Sequence, residues 1–409
     1  MYSDFSFPSR NIHLIFLFFG AIIAGRATAN DQINELQSKK KIPYDPEIEA
    51  AVMNMVKNAG YVLEKHIVET DDGYLLTVHR LPNASGSPIF LQHGLLSSSA
   101  DWLSLGKEKA FPYLLSNLGY DVWLGNFRGN ALSKAHVNLS TDESEYWNFS
   151  WHEMGIYDLP AMIDYVVSNT NKKAIYIGHS MGTTGSYVMA AERPDMQDKL
   201  KLIISFAPVV YLAHIKSPLR LLAPVSDELE IISKTFGYNE LFAADDVAGV
   251  LLRHSCSSNI VNGDLCANIL FAIVGFDPAQ IDWEQLTTIA GLTPAGSSTK
   301  CFIHYLQEVE PNQFRQYDYG AFDNLKKYGT LTPPKYDISK IKVPIACFYG
   351  DNDWLADVGD VKRFYAKLPN GISIQRVNLT SFNHIDFLWA KDAPGLLYDP
   401  TIDIIKSFD

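Results

Sequence analysis

One serine in this chain has neighbours that could make its hydroxyl a nucleophile. Ser180 stands in Gly178-His179-Ser180-Met181-Gly182, the spacing Gly-x-Ser-x-Gly. Such a pentapeptide often arises by chance, so its flanks decide what it means. Ala174-Ile175-Tyr176-Ile177 before it reads as a strand. Thr183 to Arg193 after it reads as a helix that Pro194 would end. A chain turning sharply between two such elements needs glycine on both sides, because side chains there would collide. The turn would present the Ser180 hydroxyl at the sheet edge, above a helix N-terminus that favours negative charge.

A serine hydroxyl is a poor nucleophile at neutral pH. It needs a base to take its proton, and the base needs a carboxylate to orient it. On a strand–turn–helix scaffold the chain order is Ser, then Asp or Glu, then His. His384, in Ser381-Phe382-Asn383-His384-Ile385-Asp386-Phe387, is the histidine that follows the late strands. It is the expected base. His179 cannot easily reach round its own backbone to Ser180 and is expected to pack within the elbow. For the acid, Asp351, Asp353 and Asp357 compete in Gly350-Asp351-Asn352-Asp353-Trp354-Leu355-Ala356-Asp357. A position a few residues past the strand, after a Gly-x-x turn, selects Asp353; the other two suit turn and cap chemistry. The oxyanion needs backbone N–H donors. Met181, next after the nucleophile, supplies one. Leu95 supplies the other from Gln92-His93-Gly94-Leu95-Leu96, where Gly94 allows a tight turn and His93 holds the loop.

These residues require a scaffold. Ser87–Gln92, Asp121–Leu124, Ala174–Ile177, Leu202–Phe206, Val343–Tyr349 and Ile372–Val377 read as short apolar strands bounded by Gly, Pro or Asn. Helical patterns lie between them. One begins at Ser150 with Glu153 at capping-box spacing. Another is expected to begin at Asp399-Pro400, a cap followed by proline. Strands alternating with helices predict an α/β fold with a mostly parallel central sheet covered on both faces. Residues 209–337 break the alternation. They carry helical and apolar patterns, such as Leu219-Arg220-Leu221-Leu222 and Ile269-Leu270-Phe271. We expect them to be an inserted, mostly helical cap on a core formed by residues 30–208 and 338–409.

The net charge of −12 argues against nucleic acid as a partner, since that requires a basic face. Residues 1–29 read as a signal peptide: Arg10, the apolar run Ile12 to Ala24, then Ala27-Thr28-Ala29. The run is shorter than the ~20 residues that a bilayer span takes. No later stretch is long and apolar enough to cross, so the mature chain is expected to lack a transmembrane segment. In a secretory chain the close pair Cys256 and Cys266 suggests a disulfide, worth roughly 2.5–3 kcal/mol from loop entropy. Cys347, in an apolar strand, is expected to be a buried free thiol. Asn83, Asn138, Asn148 and Asn378 begin glycosylation sequons.

Taken together, His93-Gly94-Leu95, Asn126-Phe127-Arg128-Gly129-Asn130, the Ser180 elbow, Gly350-Asp351-Asn352-Asp353-Trp354-Leu355-Ala356-Asp357 and Asn383-His384-Ile385-Asp386-Phe387 resemble the acid lipase family, which includes gastric and lysosomal acid lipases. The resemblance extends over the Asp72-Gly73-Tyr74 segment and the cap, so it spans nearly all of the mature chain. It implies an α/β-hydrolase core with a helical cap and movable lid. It also implies hydrolysis of triacylglycerol or steryl esters at a lipid–water interface, without metal or organic cofactor, in a secreted or lysosomal protein. By motif it assigns Ser180, Asp353 and His384 to the triad, Leu95 and Met181 to the oxyanion hole, and Cys256 and Cys266 to a lid-region disulfide. There are two departures. Met181 stands where the gastric enzyme has Gln, which is expected to alter the pocket wall, and Val274 stands where the family often has a free Cys. A cap of this size supports a lipid substrate independently, with Val247 to Leu252 and Ile269 to Val274 as candidate groove residues. The competing readings are an esterase for shorter or non-glyceride esters and a non-catalytic lipid-binding protein on the same scaffold.

Overall fold

The computed structural model describes residues 44–242 and 263–409. The signal-peptide, Val247–Leu252 and Cys256 expectations fall outside the described residues, and so does the side chain of Cys266.

Eleven strands are described: β1 (Glu64–Glu69), β2 (Tyr74–Leu81), β3 (Pro88–Gln92), β4 (Asp121–Gly125), β5 (Ala135–His136), β6 (Ala174–His179), β7 (Leu200–Phe206), β8 (Glu240–Leu241), β9 (Ser297–Ser298), β10 (Ile345–Tyr349) and β11 (Gly371–Arg376). Nine form one sheet in the order β1-β2-β4-β3-β6-β7-β10-β11, with β5 also on β2. From β4 to β11 all pairings are parallel, and β1 and β2 add an antiparallel edge. The α/β expectation holds, and the six expected strands appear with ends displaced by one or two residues.

The central strands are buried along their whole length. Ile89 and Leu91 enter one apolar cluster with Val122, Leu124, Ile175 and Ile177. Phe90 enters the other with Trp123 and Tyr176. Alternate side chains of each strand thus feed opposite faces, and helices cover both.

β1 and β2 were not anticipated. β1 is a half-exposed edge strand of mixed polarity. β2 buries Thr77 and His79, residues that blur an apolar pattern. His79 is tolerated inside because Nδ1 lies 2.9 Å from Ser99 Oγ and Nε2 3.1 Å from Glu49 Oε2.

The capping box at Ser150 forms, with Glu153 Oε2 accepting from Ser150 N at 2.7 Å. The helix then widens into a π-turn over Met154–Asp158 before Leu159–Thr170. Pro160 accounts for the widening, since it has no N–H to give the preceding turn. Against this turn runs the helix Met181–Glu192. The expectation that the last helix starts at Asp399 is corrected. A π-turn over Pro394–Tyr398 runs straight into Asp399–Ser407, so Tyr398 is already helical at φ −75°, ψ −39°. Pro394, with its fixed φ, takes the starting role instead.

The described residues of 209–337 give no strand to the nine-stranded sheet. Their described part holds the helices Ser226–Phe236, Gly263–Val274, Leu286–Leu292, Thr299–Val309 and Ala321–Tyr328, and the small β8–β9 pair. They meet the core just past the carboxyl ends of its strands: Ala295 N donates to Leu96 O, Trp354 N to Val274 O, and Lys391 N to Gln280 O.

Gly155 of the π-turn lies tight against the nucleophile helix, since a Cβ there would lie 2.6 Å from Val188 Cβ. Gly155→Ala should lower stability by about 1–3 kcal/mol, read as a lower unfolding midpoint in denaturant. An unchanged midpoint would contradict this packing.

Candidate active site

β6 ends at His179 and the next helix starts at Met181, so Ser180 makes the turn alone. Its φ of 54° and ψ of −118° are unusual for a residue with a side chain and cost on the order of 1–3 kcal/mol. Four bonds hold it there, one of them from Thr184 N to Ser180 O at 3.3 Å. Ser180 N donates to Phe206 O at 3.1 Å, Thr183 N to Ser180 O at 2.8 Å, and Thr183 Oγ1 to Ser180 O at 2.6 Å. Both flanking glycines are obligatory. A Cβ on Gly178 would sit 2.7 Å from the Gly182 carbonyl carbon, and one on Gly182 would sit 2.5 Å from Gln92 O.

His384 lies 2.8 Å from Ser180 Oγ through Nε2 and 2.8 Å from Asp353 Oδ2 through Nδ1. Asp353 has no solvent exposure. Its Oδ1 accepts from Leu355 N at 2.9 Å and Ala356 N at 2.7 Å, which leaves Oδ2 for the imidazole. A carboxylate so placed fixes the tautomer with Nδ1 protonated, and Nε2 can then take the serine proton. The competing aspartates are occupied elsewhere. Asp351 binds Arg376 Nε at 2.7 Å on the surface. Asp357 caps the helix Val358–Tyr365 through Gly359 N at 2.7 Å and pairs with Lys216 at 2.9 Å.

The loop bearing Leu95 lies against the nucleophile, since a Cβ on Gly94 would be 2.9 Å from Ser180 Cβ. Among the described residues, no acceptor takes the backbone N–H of Leu95 or Met181. Both are therefore free for an oxyanion. His93 fastens the loop. Its Nε2 accepts from Phe127 N at 3.1 Å and lies 3.0 Å from Asn130 Nδ2, so Nδ1 carries the proton and donates to Gly94 O at 2.7 Å. Burial pushes the His93 pKa down to about 4, which keeps it in this neutral form.

The role of Asn126-Phe127-Arg128-Gly129-Asn130 could not be read from residue types. Asn126 Oδ1 accepts from Ser99 N at 2.9 Å and Asn130 Nδ2 at 3.1 Å. Arg128 is buried, with Nε bonded to Asp158 at 2.7 Å and Nη2 to Asp72 at 2.8 Å. Burial alone would lower its pKa, but the two carboxylates more than offset that, so the guanidinium stays charged. This segment is the anchor behind His93. Asp101, also buried, accepts from Ser97 Oγ on one oxygen and Thr293 Oγ1 on the other.

His179 packs within the elbow. Its Nε2 lies 2.8 Å from His384 O and must donate to that carbonyl. Burial, then the neighbouring His384, push its pKa well below the usual histidine value.

Ser180 and His384 open into a cavity of about 350 Å³ whose wall is mostly apolar and includes Leu95, Val209, Phe242, Phe271, Ile273 and Ile289. Val274 belongs to that wall. Met181 does not. Its side chain is buried in the core cluster with Tyr176 and Tyr187, so the expected change to the pocket wall is corrected: Met181 does not line the cavity. Cys301 and Cys347 are buried free thiols. Among the described residues, no cluster of potential metal ligands occurs and no helix is long and apolar enough to cross a membrane.

Known proteins match both the scaffold and the site region. Residues 52–106 match a partial alpha/beta-hydrolase lipase region, and residues 87–258 match the alpha/beta hydrolase fold. Lipase 3 of Drosophila melanogaster is 40% identical over 87% of this chain and 92% of its own. Gastric triacylglycerol lipase of Bos taurus is 36% identical over 89% and 93%. The chain belongs to the acid lipase family of α/β-hydrolases. It is thereby a carboxylic ester hydrolase. The fold reaches further than the family. A bacterial membrane phospholipase A is superposable at a TM-score of 0.50 with 14% identity over 97% of this chain and 96% of that one. An evolved variant of a potato epoxide hydrolase gives 0.50 with 15% identity over 84% and 99%.

The geometry separates Asp353 sharply from Asp351. Asp353→Asn should lower kcat by about 10⁴-fold by permitting the wrong imidazole tautomer. Asp351→Asn should stay within about 3-fold of wild type, as expected for a screened surface pair. Equal losses would contradict the assignment. His93→Ala should lower kcat by roughly 10- to 100-fold with a smaller change in KM, because the loop carrying Leu95 loses its fastening. A purely KM effect would place His93 in substrate binding instead.

Proposed function

We propose that this chain hydrolyses neutral lipid esters, triacylglycerol or steryl ester, through an acyl-enzyme on Ser180. The observation that carries the reading is the Asp353–His384–Ser180 chain, two contacts of 2.8 Å ending in an apolar cavity. His384 takes the proton as Ser180 Oγ attacks the ester carbonyl. The N–H groups of Leu95 and Met181 receive the oxyanion. His384 then gives the proton to the departing alcohol, and a water activated in the same way releases the fatty acid.

The apolar cavity suits an acyl chain, which offers methylenes worth ~0.8 kcal/mol each on burial and almost no hydrogen bonds. Residues 209–337 act in this proposal as the cap over a core of residues 30–208 and 338–409. Leu221, Ile231 and Phe236 of that segment are 59%, 64% and 67% exposed, which fits contact with a lipid surface. A leader at residues 1–29, a Cys256–Cys266 disulfide and sugar on Asn83, Asn138, Asn148 or Asn378 would follow from passage through the secretory route, to the exterior or the lysosome. Asn138, Asn148 and Asn378 are exposed and Asn83 is half-buried, so each can carry sugar.

Ser180→Ala should lose about 10⁶-fold in turnover with its fold intact. Wild type should also gain activity as triolein passes from dispersed to emulsified form. Normal turnover by Ser180→Ala would overturn the mechanism. A preference for a short soluble ester with no gain at the interface would favour the esterase reading.

A further inference from the structure

Two carboxyl groups beside the catalytic histidine have no part in the chemistry above. Asp386 follows His384 by two residues and opens the short helix Asp386–Trp389. It is buried and lines the cavity. Asp277 belongs to the segment 275–277 that follows the helix Gly263–Val274, and it is 2% exposed. One of its oxygens, Oδ2, is buried without any donor. The Asp277 and Asp386 side chains act on each other, and no donor reaches that oxygen. Two carboxylates are both acceptors, so the pair is satisfied only when one holds a proton.

The surroundings agree with that proton. Burial, first, and then the charges of Asp277 and Asp353 push the Asp386 pKa well above the usual carboxylate range, while its bond from Asn383 N opposes them. Among the described residues, no Lys, Arg or His forms an ion pair with either carboxyl. The facing groups are accounted for element by element. Asp353 is bonded to His384. His179 is kept neutral by burial and His384. Lys391 N and Asp392 turn to Gln280, with Asp392 Oδ2 accepting from Gln280 Nε2 at 3.0 Å.

The pair also sits where the two segments are sewn together. Asn383 Nδ2 donates to Gly275 O at 2.9 Å, and Asn352 Nδ2 donates to Phe276 O at 2.8 Å and to Ser381 O at 2.9 Å. A Cβ on Gly275 would lie 2.1 Å from Asn352 O.

We propose that Asp277 and Asp386 share one proton, and that this shared proton clamps the His384 loop to the segment 275–277. The two aspartates are positioning residues for His384, not catalytic ones. Loss of the proton leaves two buried negative charges in contact, and the loop bearing His384 is pushed off the position that serves Ser180. Ester hydrolysis then falls as pH rises. The inference rests on the reading of His384 as general base.

The direction of the stability effect follows. Folding raises the Asp386 pKa, so the native state keeps a proton that the unfolded chain releases near pH ~4. Stability is therefore greatest on the acid side and declines as pH rises through the range in between. Asp277→Asn supplies a permanent donor and needs no shared proton.

The experiment is a pH series of short-ester hydrolysis with wild type, Asp277→Asn, Asp386→Asn and Ser180→Ala, with unfolding midpoints at each pH and infrared spectra at neutral pH. Asp277→Asn should move the basic limb of kcat upward by about one pH unit or more and flatten the fall of midpoint with pH. The wild-type spectrum should contain a protonated-carboxyl band that both Asn variants lack. If the basic limb of Asp277→Asn superimposes on wild type, or wild type lacks that band, the shared proton is refuted. Should one variant fold too poorly to assay, loss of the band in the other decides. An active Ser180→Ala would instead refute the triad reading, and would do so separately.

Discussion

A serine held at positive φ between a buried strand and a buried helix is the constraint on which the other parts depend. The turn stands because neighbours on both sides leave it no alternative. Phe206 O at the end of β7 takes the serine N–H, and Thr183 returns to the serine carbonyl. Gly178 and Gly182 admit the chain where no Cβ fits. The parallel sheet supplies the rest, because β3, β6, β7 and β10 all deliver their carboxyl ends to one edge. His93, Ser180, Phe206 and the loop of Asp353 meet there for that reason.

Around this turn, polar groups are distributed by how each is satisfied. Asp353 is fully supplied with donors, because two backbone N–H groups hold the oxygen that His384 does not use. His93 is neutral because burial disfavours its charge and both nitrogens have work to do. Asp101 lies within the same cavity wall with hydroxyl donors and no cation, and burial pushes its carboxyl up to about 6. Asp386 has less support, with one backbone N–H from Asn383 and an acidic neighbour where Asp353 has two N–H groups and His384. The same residue type thus serves as orienter, loop brace and shared-proton clamp, according to its donors.

Much of this was legible in the sequence, and for physical reasons. The β6 strand, the elbow and the following helix are local in sequence, so pattern and glycine placement suffice to read them. Asp353 and His384 were accessible because chain order restricts their place. What stayed hidden was non-local. β2 buries His79 and Thr77, whose partners Glu49, Ser99 and Ser133 are remote in sequence. The work of Asn126, Arg128 and Asn130 is done through contacts with the His93 loop, Asp72 and Asp158. Met181 was misjudged as a pocket residue because a motif gives the position of a side chain but not the face to which the helix turns it. The last helix began earlier than its Asp-Pro signal because Pro394 offered an equally good start one turn upstream.

The central claim is covalent, and it can be read directly. Turnover of a slow ester should be stopped with acid and the digested chain mapped by mass spectrometry. The account predicts one acyl group per chain, on the peptide that contains Ser180, with Cys301 and Cys347 unmodified. An acyl group elsewhere, or steady turnover with no acylated peptide at all, would contradict it.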